Sequence, residues 1–252
     1  MDYTKLKQQW MIDEKAAFYG WDFQYLDNRW EHDPLHWDYK QIIQQYLQDS
    51  SLLLDMGTGG GEFLLTLNHP YLLTSVTEGY KPNFDQCQKT LSPLGIDVRM
   101  IMDDDHIPFE DSSFDIVINR HESFNIQEVK RILKPEGIFI TQQVGGDNDQ
   151  ELVEYLGYGA IKKFAHHHCF KVSQMMMDNG FTIVFQAEDY LKQRFLDVGA
   201  IVYYAKIIEW LFPDFSVDKN FAQLCKLHQT LLENGYIECT QHRFIIVGKN
   251  GQ

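Results

Sequence analysis

Positive charge is scarce in this chain. The 252 residues hold 22 Lys and Arg against 36 Asp and Glu, a formal net charge of −14. Such a surface repels phosphate backbones and disfavours a nucleic-acid partner; the only basic cluster is the doublet Lys162–Lys163. Cysteine is also scarce. Cys87, Cys169, Cys225 and Cys239 are scattered and form no Cys-x-x-Cys pair, which argues against a disulfide or zinc framework and for reduced thiols in the cytoplasm. The run His166-His167-His168-Cys169 does not replace such a framework. Adjacent residues rarely converge on one ion, so no metal is expected. The longest apolar segment, Val198 to Phe212, is interrupted by Lys206 and Glu209 and is too short and too charged to span a bilayer. Residues Met1–Lys7 carry no signal-peptide core. Repeats and low-complexity linkers are absent. These features together predict a cytoplasmic protein with no membrane partner.

What is present is enough for a large core: 44% hydrophobic and 14% aromatic residues exclude a disordered chain. The most telling stretch is Leu52-Leu53-Leu54-Asp55-Met56-Gly57-Thr58-Gly59-Gly60-Gly61-Glu62-Phe63. Three apolar residues run into an acid, then a glycine turn, then residues in helical rhythm. Ligand sites in open α/β sheets form where a strand's carboxyl end meets such a turn. The dinucleotide fingerprint wants a glycine where Glu62 stands, and no Gly-Lys-Ser/Thr follows to make a phosphate-binding loop. Further on, Leu73–Glu78 is a β-rich run ending in an acid, at the distance where a ribose-binding acid is expected. Val98–Met102 runs into Asp103-Asp104-Asp105, and Ser113–Asn119 and Leu133–Ile140 give two more strands.

An acid two residues before glycines at alternating positions (Gly57, Gly59, Gly61) resembles motif I of the class I S-adenosylmethionine-dependent methyltransferases. The later elements look like that family's motifs in order, over residues 50–145. The resemblance implies an α/β, Rossmann-like doubly wound sheet of seven strands in the order 3-2-1-4-5-7-6, with strand seven antiparallel. It implies S-adenosylmethionine as cofactor and S-adenosylhomocysteine as product. Asp55, Met56, Gly57, Thr58, Gly59 and Gly61 would line the amino-acid end of the cofactor. Glu78 would accept both ribose hydroxyls, with Gly79 and Tyr80 beside ribose and adenine. Asp103 would accept from the adenine amine and Asp104 supply a neighbouring amide, the three consecutive acids leaving the register open by one. Asn119 would close the site from strand four. Past it, His121 could serve as a general base, or could be a loop residue paired with Glu122 for structure. Arg120 could hold a substrate carboxylate.

Outside that core, residues 1–48 read as an aromatic-rich helical segment (Trp10, Trp21, Trp30, Trp37), with Asp38 capping a helix Tyr39–Leu47. Helix Lys171–Asn179 leads to strand six at Phe181–Phe185. Helices Phe195–Trp210 and Val217–Asn234 precede strand seven at 242–249. The whole is expected as one domain, 1–252, with 146–180 and 194–240 as caps on the substrate side. Gln142 and Gln143 are polar where a buried strand should be apolar, so one of them, Gln143 by preference, should face the acceptor. Tyr203 and Trp210, on one face of the 195–210 helix, would close over it. The function expected is methyl transfer to a small molecule. The alternatives are methylation of RNA, or cofactor binding without catalysis. No Asn-Pro-Pro-Tyr motif follows strand four, which argues against exocyclic amino groups of nucleobases as the acceptor.

Overall fold

The computed structural model describes residues 3–18, 23–159 and 164–251; Trp21 and Lys162–Lys163 lie outside them. In chain order the elements are α1 (Tyr3–Glu14), β1 (Trp30–His32), α2 (Tyr39–Tyr46), β2 (Leu53–Met56), α3 (Glu62–Leu65), β3 (Thr74–Glu78), α4 (Lys81–Thr90), β4 (Asp97–Met100), β5 (Phe114–Arg120), α5 (Ile126–Ile132), β6 (Leu133–Val144), α6 (Gln150–Tyr155), α7 (Cys169–Asp178), β7 (Phe181–Phe195), α8 (Val198–Ile207), α9 (Phe221–Asn234) and β8 (Ile237–Asn250). They group into two compact units. One holds Met1–Leu35, Gly146–His166 and Asp189–His242; the other holds His36–Gly145, His167–Glu188 and Arg243–Gln252.

The second unit is the α/β sheet. Its strands run β4-β3-β2-β5-β6-β8-β7, with β2 parallel to β3 and β5, β3 to β4, and β5 to β6, and with β8 antiparallel to β6. A parallel strand is covered on both faces and so must be apolar throughout, which is why Leu53, Leu54 and Met56 are all buried. One face of the sheet packs Leu53, Val76, Ile116, Ile118, Ile140 and Ile245 against Ile42, Ile43, Leu64 and Cys87. The other packs Leu54, Val117, Phe139, Phe244 and Ile246 against Ile126, Val129, Val172 and Met176. Helix α7 therefore belongs to the sheet, and of the stretch 146–180 only residues 146–166 fall in the other unit. Asp38 caps α2 as its sequence suggests, its Oδ1 accepting from Gln41 N at 3.0 Å.

In the first unit β1 pairs antiparallel with the end of β7, Trp30 opposite Phe195. The strand Phe181–Phe185 expected from sequence runs ten residues further. From Asp189 to Phe195 buried and outward-facing positions alternate, the period-two pattern of a strand. Helix α8 is shorter than expected and is buried along Val198–Ala205, as a helix apolar on all sides must be. It starts at Asp197, whose Oδ1 accepts from Ala200 N at 2.8 Å. The same carboxylate takes both Nε (2.8 Å) and an Nη (2.6 Å) of Arg29, and Arg29 reaches the buried Asp13 at 3.0 Å. Among the described residues no helix is long and apolar enough to cross a membrane.

Asp197 thus both caps α8 and holds Arg29 in a two-point grip. Asp197→Ala is expected to lower stability by about 2–3 kcal/mol, the sum of a lost cap and a lost charge-assisted pair. Asp197→Asn, which keeps the cap, should recover about 1 kcal/mol of it. Urea unfolding of the two variants measures both.

Candidate active site

The carboxyl ends of β2, β3 and β5 meet at one edge of the sheet, with Met56 opposite Thr77 on one side and Asn119 on the other. After β2 the chain turns through Gly57, Gly59 and Gly61, all at positive φ (66°, 64° and 85°), which only glycine adopts without cost. Thr77 O accepts from Gly57 N (3.0 Å) and Thr58 N (3.2 Å), tying the turn to β3. Cys87 supports it from beneath, its Sγ donating to Gly59 O at 3.1 Å; burial pushes that thiol's pKa up to about 12, so it stays protonated and able to donate.

Glu78, at the tip of β3, accepts from Gly59 N and Tyr80 N, each at 2.8 Å. Burial raises its pKa, and these backbone donors pull it back. Each carboxylate oxygen has a second lone pair, so accepting capacity remains. Asp55 is buried, and desolvation pushes its carboxyl up to about 7 although the Thr58 hydroxyl and the Arg120 charge oppose this. Met56 is buried in the core, so only its backbone is available to a ligand. A Cβ on Gly79 would make only ordinary contacts, with Ile101 O at 3.5 Å and Ile101 Cγ2 at 3.6 Å, and the Tyr80 ring beside it is exposed. Asp103 is spent on its own turn, accepting from Asp105 N (3.1 Å) and His106 Nδ1 (3.0 Å). Its neighbour Asp104 is the acid whose charge reaches Glu122.

At the end of β5, Asn119 is fully buried. Its Oδ1 accepts from Thr141 Oγ1 (2.9 Å) and Gln143 Nε2 (2.6 Å), while its Nδ2 has no hydrogen-bond partner. A buried donor left unpaired costs about 1–3 kcal/mol, and at a strand end in such a site it points to a missing ligand. Gln143 Nε2 also donates to Glu122 O at 2.9 Å. Its amide therefore positions the loop rather than facing an acceptor. Gln142 accepts from Trp37 Nε1 at 2.9 Å, and its own amide nitrogen stands 3.4 Å from His121 Nε2.

His121 sits at φ 62°, a left-handed conformation uncommon outside glycine that His, like Asn and Asp, adopts more readily than other side chains. That twist separates its ring from the next residue. The imidazole goes toward Gln142, while Glu122 lies over the glycine turn: a Cβ on Gly57 would be 2.5 Å from Glu122 Cγ. Burial, then Arg243 and Arg120, hold the His121 pKa well below its ordinary value. Glu122 goes the other way, with burial first and then the charges of Glu78 and Asp104 pushing it up to about 7. The guanidinium of Arg120 lies over the Phe63 ring at 4.4 Å, and Phe63 in turn packs on Tyr39 at 5.2 Å. Arg120 has no ion-pair partner among the described residues, so its edge donors remain available.

The two aromatic residues expected over the acceptor are placed differently. Helix α8 ends at Ile207, so Trp210 is not on it, and Trp210 is 45% exposed. Tyr203 belongs to the core of the first unit, its ring 4.4 Å from that of Tyr25. Tyr203 and Trp210 therefore share no helix face, because the chain turns after Ile207 and Leu211 and Phe212 close into the core. Sequence reasoning undervalued Glu122, treating it only as a structural partner of His121. It also missed Cys87 as a support and Phe63 as the platform for Arg120. The spacing of Glu122 past the fourth strand was visible, but its direction was not.

Residues 54–141 match a family model described as a methyltransferase domain. An uncharacterised protein of Methanocaldococcus jannaschii is 32% identical over 108 residues, 40% of each chain; the match thus spans less than half of that relative's length. Among solved structures, the YcgJ protein of a Bacillus species superposes with TM-score 0.54 at 16% identity, over 85% of this chain and 98% of that one. A SAM-dependent methyltransferase of Methanosarcina mazei gives TM-score 0.50 at 17% identity, over 83% and 97%. At these identities the structural likeness carries the fold alone.

The raised Asp55 has a consequence for stability. Between its ordinary value near 4 and about 7 the folded chain binds a proton that the unfolded chain releases. Stability of the ligand-free protein contributed by this group is therefore full at low pH and lost as pH rises through that window. Asp55→Asn is expected to stabilise the ligand-free protein at pH 8 by about 1–3 kcal/mol, with little gain at pH 5. Chemical denaturation at the two pH values tests it; an equal effect at both would refute the assignment.

Proposed function

We propose that this chain is a class I S-adenosylmethionine-dependent methyltransferase that transfers the cofactor's methyl group to a small-molecule acceptor. The observation that carries cofactor binding is the combination of the glycine turn with the unpaired Asn119 Nδ2 at one sheet edge. A turn with no Cβ lets a ligand approach the backbone, and a buried donor awaits an acceptor atom. The residues fit the group. Asp55 and Asn119 would face its amino-acid end, Glu78 its ribose hydroxyls, Tyr80 the ribose and adenine, and Asp104, rather than Asp103, the adenine edge. When bound, the cofactor supplies an activated methyl for in-line displacement, and the protein supplies orientation and desolvation.

On the acceptor side the chain offers Arg120 and His121. Arg120, stacked and unpaired, would bind a planar anion such as a carboxylate through its free edge. His121 would be neutral at pH 7, since its pKa lies below its ordinary value. A neutral imidazole can accept a hydrogen bond from the acceptor's nucleophile, but its lowered basicity makes it a weak general base. Acceptors that are already nucleophilic near neutrality suit such a site better than alcohols. RNA as acceptor is disfavoured by the −14 net charge. A cytoplasmic location accords with the scattered cysteines.

Calorimetry is expected to show micromolar-range binding of S-adenosylmethionine or S-adenosylhomocysteine and none of NAD. NAD binding without the sulfonium ligand would refute the reading. Glu78→Ala should weaken binding by about 1–3 kcal/mol, the worth of hydrogen bonds to a charged acceptor. Release of S-adenosylhomocysteine across a panel of carboxylate-bearing acceptors separates an enzyme from a silent binder.

Filter binding should detect no stable RNA or DNA complex at physiological salt. Retention with a steep salt dependence would instead promote RNA as the acceptor.

A further inference from the structure

Glu122 is an acid at the site held by a backbone donor, the Ser123 N–H, rather than by a cation. Its side chain lies against the glycine turn, with Cγ at 2.5 Å and Oε2 at 3.0 Å from where a Gly57 Cβ would stand. No cation pairs with it among the described residues. The charges it feels are the carboxylates of Glu78, from β3, and Asp104, from the loop after β4. The side chain is open to solvent at the mouth of the site, and with like charges as its neighbours its ionised form is disfavoured until a cation joins it. Beside it, Asn119 Nδ2 is buried without a partner, a second and independent mark of a missing ligand.

Resting on the cofactor reading above, we propose that Glu122 is a charge-selecting residue that faces the sulfonium of S-adenosylmethionine and so distinguishes the methylated cofactor from its neutral thioether product. The order of groups supports this. In the cofactor the sulfonium joins the amino-acid chain to the ribose. In the site Glu122 lies against Gly57, at the start of the turn that follows Asp55, and within reach of the charge of the ribose acid Glu78. The ammonium is common to cofactor and product, so a carboxylate aimed at it could not tell the two apart. The sulfonium is the one charge that methyl transfer removes.

The consequence is thermodynamic. A carboxylate beside the sulfonium favours the charged ligand and loses that attraction once the methyl has left, which weakens product retention. Because the charge fades along the displacement, the same carboxylate does not stabilise the transition state more than the ground state. Glu122 is therefore assigned to binding selectivity and not to chemistry. Its raised pKa agrees with a carboxylate that lacks its cation in the ligand-free chain.

The test is the pair of dissociation constants for S-adenosylmethionine and S-adenosylhomocysteine, measured by calorimetry at pH 8 on the wild-type chain, Glu122→Gln and Glu122→Asp. Glu122→Gln is expected to weaken S-adenosylmethionine about tenfold while leaving S-adenosylhomocysteine within about twofold, with Glu122→Asp restoring part of the ratio. Thermal melts of the ligand-free variants confirm that each is folded. An equal loss for both ligands would assign Glu122 to the shared ammonium and overturn the proposal, and so would no loss for either. Failure of the wild-type chain to bind either ligand would overturn the cofactor reading itself.

Discussion

Crowding of carboxylates around one glycine turn is the constraint on which the rest of the site depends. Asp55, Glu78 and Glu122 converge on Gly57–Gly61, and burial raises the pKa of all three. Glu78 alone is well supplied with backbone donors. Holding the others ionised costs free energy that Thr58 and Arg120 return only in part for Asp55, and the Ser123 N–H only in part for Glu122. That cost is offset elsewhere, by two apolar layers on either face of the sheet. A site that is unfavourable when empty and complementary to a cation when filled is a common way for a fold to gain ligand selectivity at the expense of stability.

The turn can carry this charge only because its geometry is fixed from several sides. Thr77 O anchors two of its amides and the Cys87 thiol holds Gly59 O. At the neighbouring strand end, Asn119, Thr141 and Gln143 form a closed set of hydrogen bonds that reaches the Glu122 carbonyl. Gln143 thus acts on Glu122 through the backbone. Its polarity inside a buried strand has a structural explanation that also serves the site. Trp37 does the same for Gln142. The left-handed His121 lets adjacent side chains diverge, sending an imidazole and a carboxylate to different parts of the site.

Much of this was legible in the chain. Asp55, the alternating glycines and Glu78 are local signals: each depends on the conformation of a few consecutive residues, and each keeps its expected place at the sheet edge. The capped start of α2 was equally readable, since Asp38 and Gln41 are three residues apart. The strands β7 and β8 are longer than the sequence suggests, because the second half of β7 and the first half of β8 mix polar with apolar residues and gain stability from pairing rather than from composition. The helix around Tyr203 was foreseen too long, because an apolar run fits a helix or a buried turn equally well until its neighbours are known.

The sequence by itself determined the parallel α/β core, the glycine turn and the acids flanking it, because hydrophobic period, positive-φ residues and strand-end acids act over a few positions of chain. The tertiary structure alone decided that Asp103 is spent on its own turn, that Glu122 rather than His121 covers Gly57, and that Arg120 rests on Phe63. Those outcomes depend on one backbone dihedral and on groups distant in sequence whose charges and surfaces meet only after the sheet has formed.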